Sequence, residues 1–415
     1  MVAEPVTRSL RDRLRNVIAQ HPAVRPQAPP LPREMLPISQ ILRGDWHETE
    51  HGPVFVRDEW FPLDHRHGAL ALGSALDAAP EALRLLLGGE TSPHPSRLAF
   101  FDIETTGLAG GTGTYVVLAG LGTYEETDPG APPAFRMRQY FLADLAHERA
   151  MLAMLATDVA RFEGLVTYNG RSFDVPFVET RMTMARLPSP YGALAHFDLL
   201  HPVRRLYKHR MPGCRLAEAE RRLLRLERPD DVPGWLIPQL YFDYLRAGRA
   251  SPLRGVFRHN AEDVLSLVGV LASLSSLLSS GDIDPADAVA VARWWERAGE
   301  PHRAAGLYRG ALPWLEGGDD WAWAAGRQAS LCRRLGERAE AERLWRRLWE
   351  QGDRPAGVEL AKHLEHHVRD LAAAGEVTDA LLVRAEGAER IALEHRLARL
   401  RRKRTRQAAA AALEE

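Results

Sequence analysis

The sequence predicts a mixed α/β domain followed by an all-α domain of helical repeats. Apolar strand patterns alternate with helical patterns between residues 97 and 274, starting with the buried segment LAFFDIE. After residue 281, glycine, alanine and large apolar residues recur at a regular spacing instead. A chain of 415 residues is long enough for two or three such domains, each with its own core.

Composition and charge exclude several classes of protein. The chain is 45% hydrophobic and 26% charged, and its longest mostly apolar stretch, residues 264–280, is rich in serine, so we expect no membrane span. The first twenty residues lack the apolar core of a signal peptide, and two cysteines 118 positions apart form no disulfide framework, so we expect a reducing cytoplasm. A net charge of −1 leaves attraction to nucleic acid to local patches.

The order of elements within residues 52–280 predicts the mixed domain and its N-terminal extension. Residues 1–51 are predicted to form an N-terminal helix and a proline-rich linker. Three consecutive strands favour an antiparallel meander, after which helices and strands alternate. The predicted strands cover residues 53–60, 98–104, 115–124, 135–141, 164–169 and 196–200, and the predicted helices cover residues 77–87, 146–163, 175–186 and 257–274.

Residues 281–398 contain an internal repeat. Gly-Glu pairs at Gly299, Gly336 and Gly375 are spaced by 37 and then 39 residues. Small and large apolar residues follow each glycine in register, which is typical of stacked helical hairpins. These residues are Ala304, Ala341 and Ala380 at the small position and Leu307, Leu344 and Val383 at the large one. The tail, residues 399–415, is basic and then alanine-rich, and is either a nucleic-acid arm or a disordered end.

Three acidic clusters are candidates for chemistry. Asp102 and Glu104 are two apart on a strand and therefore share a face, where a pair of carboxylates suits Mg²⁺ or Mn²⁺; a plain surface strand is the alternative. Asp174 follows a strand at the start of a helix, where a simple N-cap is the alternative. His259 and Asp263 are four apart on one helix face, which also fits a surface pair.

Taken in this order, the clusters resemble the DnaQ-like, or DEDD, 3′–5′ exonucleases of the ribonuclease H fold. The segment LVTYNGRSFDVPF is similar to the second exonuclease motif of B-family DNA polymerase proofreading domains. The succession DIETTGLAGGTGT, HFDLLHPVRRLY, DVPGWLIPQLYFDYL and HNAEDVLSL, with helical repeats behind it, resembles the bacterial YprB family over residues 52–383. This resemblance implies a ribonuclease H-like mixed sheet with flanking helices, followed by an all-α tetratricopeptide-like repeat domain.

The same resemblance implies a two-metal nuclease. Asp102, Glu104, Asp174 and Asp263 would bind two divalent ions, Mg²⁺ or Mn²⁺, and hydrolyse single-stranded DNA or RNA from its 3′ end. His259 would be the general base. The superfamily places this histidine five residues before the last aspartate, or a tyrosine four before it, whereas His259 stands at the tyrosine spacing. A substrate contact or a supporting hydrogen bond is therefore the alternative for His259.

Other residues are candidates for substrate and partner contacts. Thr105, Thr106, Gly107 and Asn169 would touch the terminal nucleotide, although the first three also suit an ordinary turn. GGTGT does not match a phosphate-binding loop. A basic cluster precedes the third motif and suits either a single-strand funnel or a salt-bridged helix face. It comprises Arg204, Arg205, Lys208, Arg210, Arg215, Arg221, Arg222 and Arg225.

Two other functions remain open from the sequence. One is a catalytically inactive nucleic-acid-binding or scaffold protein that acts through its helical repeats, and the presence of all four acids favours the enzyme over it. The other is a structure-specific endonuclease with the same metal chemistry. The repeats could in either case dock a protein partner on a concave surface.

Overall fold

The computed structural model describes residues 36–414 except residues 90–91, 108–112, 209, 281–282, 317 and 319. The first 35 residues, which include the predicted N-terminal helix and most of the predicted linker, lie outside the described residues, as does part of the glycine-rich turn.

A seven-stranded mixed sheet forms the centre of the N-terminal half. The strands are β1 (Asp45–Thr49), β2 (Gly52–Phe61), β3 (Arg66–His67), β4 (Leu70–Ala71), β5 (Leu98–Thr105), β6 (Val116–Glu126), β7 (Pro133–Phe141), β8 (Gly164–Thr167) and β9 (Ala195–Asp198). The order in the sheet is β1-β2-β7-β6-β5-β8-β9, and β3 pairs with β4 separately. The predicted antiparallel meander is β5-β6-β7, and β8 and β9 continue the sheet in parallel with β5.

Helices flank this sheet and make up the C-terminal half. Those of the first half are α1 (Ile38–Leu42), α2 (Pro80–Leu87), α3 (Glu148–Val159), α4 (Asp174–Met184), α5 (Leu200–Tyr207), α6 (Leu216–Ala219), α7 (Ile237–Ala247) and α8 (Leu253–Ser279). Those of the second half are α9 (Pro285–Arg297), α10 (Pro301–Leu315), α11 (Asp320–Leu335), α12 (Arg338–Glu350), α13 (Arg354–His363), α14 (Leu371–Leu382) and α15 (Gly387–Glu414).

Strand β5 separates two hydrophobic cores. Phe100 packs on one side with α8, whereas Phe101 and Ile103 pack on the other side with α3 and α4. This is the alternation expected of a strand that is covered on both faces. Asp102 and Glu104 continue the face that α8 covers, so the sheet presents both acids to that helix.

Helix α8 is a buried core helix. It is long and apolar enough to cross a membrane, but 72% of its most apolar window is buried inside the protein. Its buried residues face both the sheet and the helices around it. Its apolar composition is therefore explained by packing in the core.

Strand β1 lies in the segment that the sequence assigns to an N-terminal helix and linker. It pairs antiparallel with β2 and forms one edge of the sheet. Its sequence, DWHET, has no buried residue. An edge strand without an apolar face carries no alternating signal, which is why the sequence did not reveal it.

Consecutive C-terminal helices pack as hairpins, but the third repeat is out of register with the prediction. Gly299 and Gly336 have left-handed backbones in the turns of the first two hairpins. Gly375 instead lies inside α14, and Val383 is 81% exposed. The third turn closes at Arg369, after a π-helical turn at Leu364–Val368.

The alanine at the helix contact identifies the true register. Ala374, not Ala380, is buried as Ala304 and Ala341 are. The third unit is therefore shorter than an alignment on Gly-Glu pairs implies.

The basic tail is part of helix α15, so a disordered end from residue 399 is wrong. The buried carboxylate of Glu365 accepts hydrogen bonds from Arg396 at 2.9 Å, Arg399 at 2.7 Å and Lys403 at 2.9 Å. Burial alone would raise the pKa of Glu365, but the hydrogen bonds from Arg399 and Lys403 outweigh it and lower the pKa to about 2. Glu365 thus anchors the terminal helix.

We expect Glu365→Gln to destabilise the protein by on the order of 2 kcal/mol at pH 7, because three cations then face a neutral amide. Because folding lowers the pKa of Glu365, its charged form stabilises the folded state fully above pH 4.5. This stabilisation is lost as the pH falls toward about 2. Urea unfolding of the variant and the wild type should therefore differ less at pH 4 than at pH 7. Glu389→Gln, which removes an exposed pair with Arg354, is the control and should cost less than about 1 kcal/mol. Equal costs for the two variants would contradict the anchor.

Candidate active site

The five side chains predicted to carry the chemistry lie together at one end of the sheet. Asp102 and Glu104 lie near the end of β5, and Asp174 is the first residue of α4. His259 and Asp263 project from α8, with Nε2 of His259 at 3.7 Å from Oε1 of Glu104 and 3.6 Å from Oδ2 of Asp263. Asp102, Glu104 and Asp174 lie close enough to Asp263 for its charge to raise the pKa of each of them.

Asn260 fixes the position of Asp102. Its Nδ2 donates to Oδ2 of Asp102 at 2.9 Å, and its Oδ1 accepts from Nε2 of Gln139 at 2.9 Å. This amide fits because residue 120 of β6 is glycine: a Cβ there would stand 2.4 Å from Oδ1 of Asn260. Gly120 is also the strand partner of Asp102. The close approach of α8 to β6 thus sets the geometry of the first acid.

Asp174 is positioned by the turn that follows β8. The N-cap of α4 is Phe173, and Asp174 is the first helical residue, so the N-cap alternative for Asp174 is wrong. The turn is held by the buried carboxylate of Asp198, which accepts the backbone N–H groups of Asn169 at 2.8 Å and Arg171 at 3.1 Å. Asn169 itself adopts a left-handed backbone.

His259 is oriented by an acid that the sequence did not reveal. Its Nδ1 lies 2.7 Å from Oδ1 of Asp231, so Nε2 is directed toward Glu104 and Asp263. Asp231 is 28 residues away along the chain and belongs to no local motif with His259. Burial alone would lower the pKa of His259, but Asp263, Glu104 and Asp231 raise it above its ordinary value.

Arg228 supplies a fixed positive charge next to the acids. Its Nη2 donates to Oδ1 of Asp263 at 2.6 Å and to Oε1 of the buried Glu220 at 2.8 Å. Glu220 also accepts from Ser266 at 2.6 Å, and Nε2 of His67 lies 2.7 Å from the same hydroxyl. One oxygen of Asp263 is thereby occupied, and the other faces His259.

The pKa values of Asp102, Glu104 and Asp174 are all raised. Burial, together with the charges of Asp263 and Glu104, raises the pKa of Asp102 well above its ordinary value. Burial raises the pKa of Glu104 to about 8 despite the opposing effect of His259, and it raises the pKa of Asp174 to about 7. Clustered buried acids with raised pKa values are typical of functional sites.

The candidate substrate residues lie at the end of β5 and in the two turns at this end of the sheet. The hydroxyl of Thr105 donates to the carbonyl of Gly107 at 2.9 Å, and that of Thr106 accepts from the N–H of Tyr115 at 2.9 Å. Both threonines therefore stabilise their own turn. A substrate contact would have to be made in addition to that role.

Three members of the predicted basic cluster lie against the helical repeats. Arg205 covers the ring of Trp294 at 4.6 Å, and Arg210 and Arg222 pair with Asp287. These arginines join the two halves of the chain, and the pairing with Asp287 supports the salt-bridged alternative for Arg210 and Arg222.

The donor chemistry of the site fits divalent cations. Asp102, Glu104 and Asp174 present oxygen ligands whose mutual repulsion and burial disfavour the charged forms, and a hard cation would reverse this. Among the residues that the structure describes, no three His, Cys, Asp or Glu side chains already stand in an arrangement that holds an ion.

Comparison with known proteins agrees with the fold. Residues 99–275, which span β5 to α8 and contain every acid of the site, match the RNase H superfamily. Members of this superfamily generally hydrolyse nucleic acids.

The similarity to one relative extends through the C-terminal helices. A Bacillus subtilis (strain 168) protein described as "Uncharacterized protein YprB" is 32% identical over 383 residues, which cover 86% of this chain and 90% of the relative. The chain therefore belongs to the YprB family.

The contact between Gly120 and Asn260 predicts a measurable coupling. Gly120→Ala should destabilise the protein by about 1–3 kcal/mol, because the new methyl group must displace the amide of Asn260. Asn260→Ala should also destabilise it, by about 1–3 kcal/mol, since Gln139 loses a buried acceptor. In the double variant the clash with the amide is relieved, so the cost should fall below the sum of the single costs. Urea unfolding of the four proteins measures this, and strict additivity would contradict the contact.

Proposed function

We propose that this protein is a divalent-metal-dependent 3′–5′ exonuclease that acts on single-stranded nucleic acid. The observation that carries the proposal is the convergence of Asp102, Glu104, Asp174, Asp263 and His259 at the end of strand β5 of a ribonuclease H-type sheet. Two raised-pKa acids on one strand, a third on the next βα turn and a histidine–acid pair on a facing helix suit hydrolysis of a phosphodiester better than a purely structural role.

The four acids would hold two ions, Mg²⁺ or Mn²⁺. When bound, such ions stabilise the negative charge that develops on the phosphate as it is attacked. Asp102 and Glu104 would act from one strand face, and Asn260 keeps the carboxylate of Asp102 in place. Asp263 would contribute Oδ2, because Oδ1 is engaged by Arg228.

His259 is the proposed general base. Its Nε2 faces the acids and would accept a proton from the water that attacks the phosphorus atom, while the bond from phosphorus to the 3′ oxygen breaks. The products are a nucleoside 5′-monophosphate and a strand shortened by one nucleotide. Asp231 holds Nδ1, which keeps Nε2 directed at the site and stabilises the protonated ring.

Substrate and partner contacts complete the proposal. Thr105, Thr106, Gly107 and Asn169 lie in the two turns next to the acids, where the terminal nucleotide would be held. The C-terminal helices, proposed to be tetratricopeptide-like, would dock a protein partner. The proposed compartment is the cytoplasm, and both cysteines, Cys214 and Cys332, are free.

The test is degradation of DNA and RNA single strands carrying a label at the 3′ or the 5′ end, in Mg²⁺, Mn²⁺ or a chelator. The 5′-labelled strand should give a ladder that shortens from the 3′ end in either metal and not in the chelator. Asp102→Asn should lower the rate by at least about 100-fold, because it removes a proposed ligand. Asp128→Asn changes an exposed acid outside the site and should leave the rate unchanged.

Two other outcomes would indicate the alternative functions. Cleavage that ignores a blocked 3′ end would indicate an endonuclease. Intact strands under every condition, with binding retained by both proteins, would overturn the enzyme and indicate a scaffold.

Metal binding should also change the pH dependence of stability. Because the pKa values of Glu104 and Asp174 are raised to about 8 and about 7, their favourable contribution is lost as the pH rises through these values in the metal-free protein. Mg²⁺ favours the charged carboxylates, so it should raise the melting temperature more at pH 8 than at pH 5.5. Glu104→Gln should reduce this difference and Asp128→Asn should not. An equal effect of Mg²⁺ at both pH values would count against an ion held by these acids.

A further inference from the structure

Trp235 is an exposed aromatic residue in the segment that orients the proposed general base. Its side chain is 76% exposed, whereas Trp294 and Trp295 are only 5% and 4% exposed. A large apolar ring that packs against little of its own protein is available to a ligand. Trp235 lies in a short 3₁₀ turn, Gly234–Leu236, four residues after Asp231.

The backbone that precedes this ring is fixed to helix α8. Asp231 contacts Nδ1 of His259 at 2.7 Å, and Arg258 donates to the carbonyl oxygen of Asp230 at 2.6 Å. Val232 packs so closely on α8 that a Cβ at Gly255 would lie 2.5 Å from its Cγ2. The segment is therefore already ordered in the free protein. Binding a ligand then costs less conformational entropy, which favours the complex.

The length of the segment places the ring close to the acids. Four residues span at most about 14 Å even when fully extended, and part of this stretch is turned. The Cα of Trp235 is thus within that distance of the Cα of Asp231, whose carboxylate touches His259. The ring is therefore close enough to the acids for a base of a strand that ends at them to reach it.

The chemistry of the ring selects an unpaired base as its partner. An indole face stacks on any nucleobase, so such a contact tolerates sequence and suits an enzyme that degrades strands one nucleotide after another. A base within a duplex has both faces covered by its neighbours, whereas a single-stranded base can present one. The local charges are mixed, with Asp230 and Glu262 beside Arg258, so the segment does not form a phosphate-binding patch.

We propose that Trp235 stacks on an unpaired base of the substrate a few nucleotides or fewer from the scissile bond, an inference that rests on the proposed nuclease function. Trp235 is a substrate-binding residue in this proposal and takes no part in proton transfer. Its removal weakens the binding of single strands and raises KM, while kcat changes little.

Binding is measured by fluorescence anisotropy of a dye-labelled DNA single strand, with Ca²⁺ in place of Mg²⁺ and strand integrity checked on a gel. Trp235→Ala should weaken binding by about 5- to 150-fold, which corresponds to the loss of about 1–3 kcal/mol of stacking. Trp235→Phe should restore most of the affinity. Trp314→Ala is the matched control, because Trp314 is also 76% exposed but lies in α10 of the helical repeats.

Strands with a single abasic residue at successive positions from the 3′ end locate the contact. The wild type should lose affinity when one position is abasic, and Trp235→Ala should be insensitive at that position. Equal affinities of the Trp235→Ala and Trp314→Ala proteins, or an abasic penalty that is the same with and without Trp235, would overturn the proposal. Strand cleavage with no effect of Trp235 refutes the stacking alone, whereas a Trp235-dependent affinity without any cleavage refutes the exonuclease alone.

Discussion

The site depends on how closely helix α8 approaches strand β6. The absence of a side chain at Gly120 lets the amide of Asn260 lie on the sheet, where it bonds to Asp102 and Gln139. Asn260 is flanked on the same helix by His259 and, one turn later, Asp263. A shift of α8 away from the sheet would therefore move His259 and Asp263 relative to Asp102 and Glu104. Precise placement of these groups comes from core packing rather than from a flexible loop.

The unfavourable free energy of burying several acids close together is partly offset by a network of polar side chains next to the site. Arg228 neutralises part of the charge at Asp263, and the buried Glu220 holds Arg228 in turn. The burial that lowers the pKa of His67 to about 4 keeps that ring neutral beside Ser266, so no second cation competes for Glu220. Strand β3, which carries His67, thus ties the N-terminal extension to the acids. The clustered carboxylates destabilise this part of the fold, and the hydrogen-bonded network behind them compensates for part of that cost. Such compensation is expected where the needs of function and of stability conflict.

The features that could be predicted from the sequence are those that depend on local patterns of residues. The period of two placed Asp102 and Glu104 on one face, and the order of strands and helices predicted the meander and the parallel strands that follow it. Asp231, Asn260 and Arg228 were not found, because their roles arise from tertiary contacts over 28 to 158 residues. The third repeat was misaligned because a Gly-Glu pair recurred by chance inside a helix, while the buried alanine that marks the contact, Ala374, stood six residues earlier than expected.

The segment between the second and third acidic motifs connects these features. Within eight residues it supplies Arg228 to Asp263, Asp231 to His259 and an exposed ring at Trp235. The first contacts an acid, the second contacts the proposed general base, and the third is exposed to solvent. All three nevertheless belong to one short stretch of backbone that is fixed to α8. A displacement of this stretch would alter the charge next to Asp263 and the orientation of His259 together. The arrangement therefore couples the proposed stacking residue to the proposed catalytic groups.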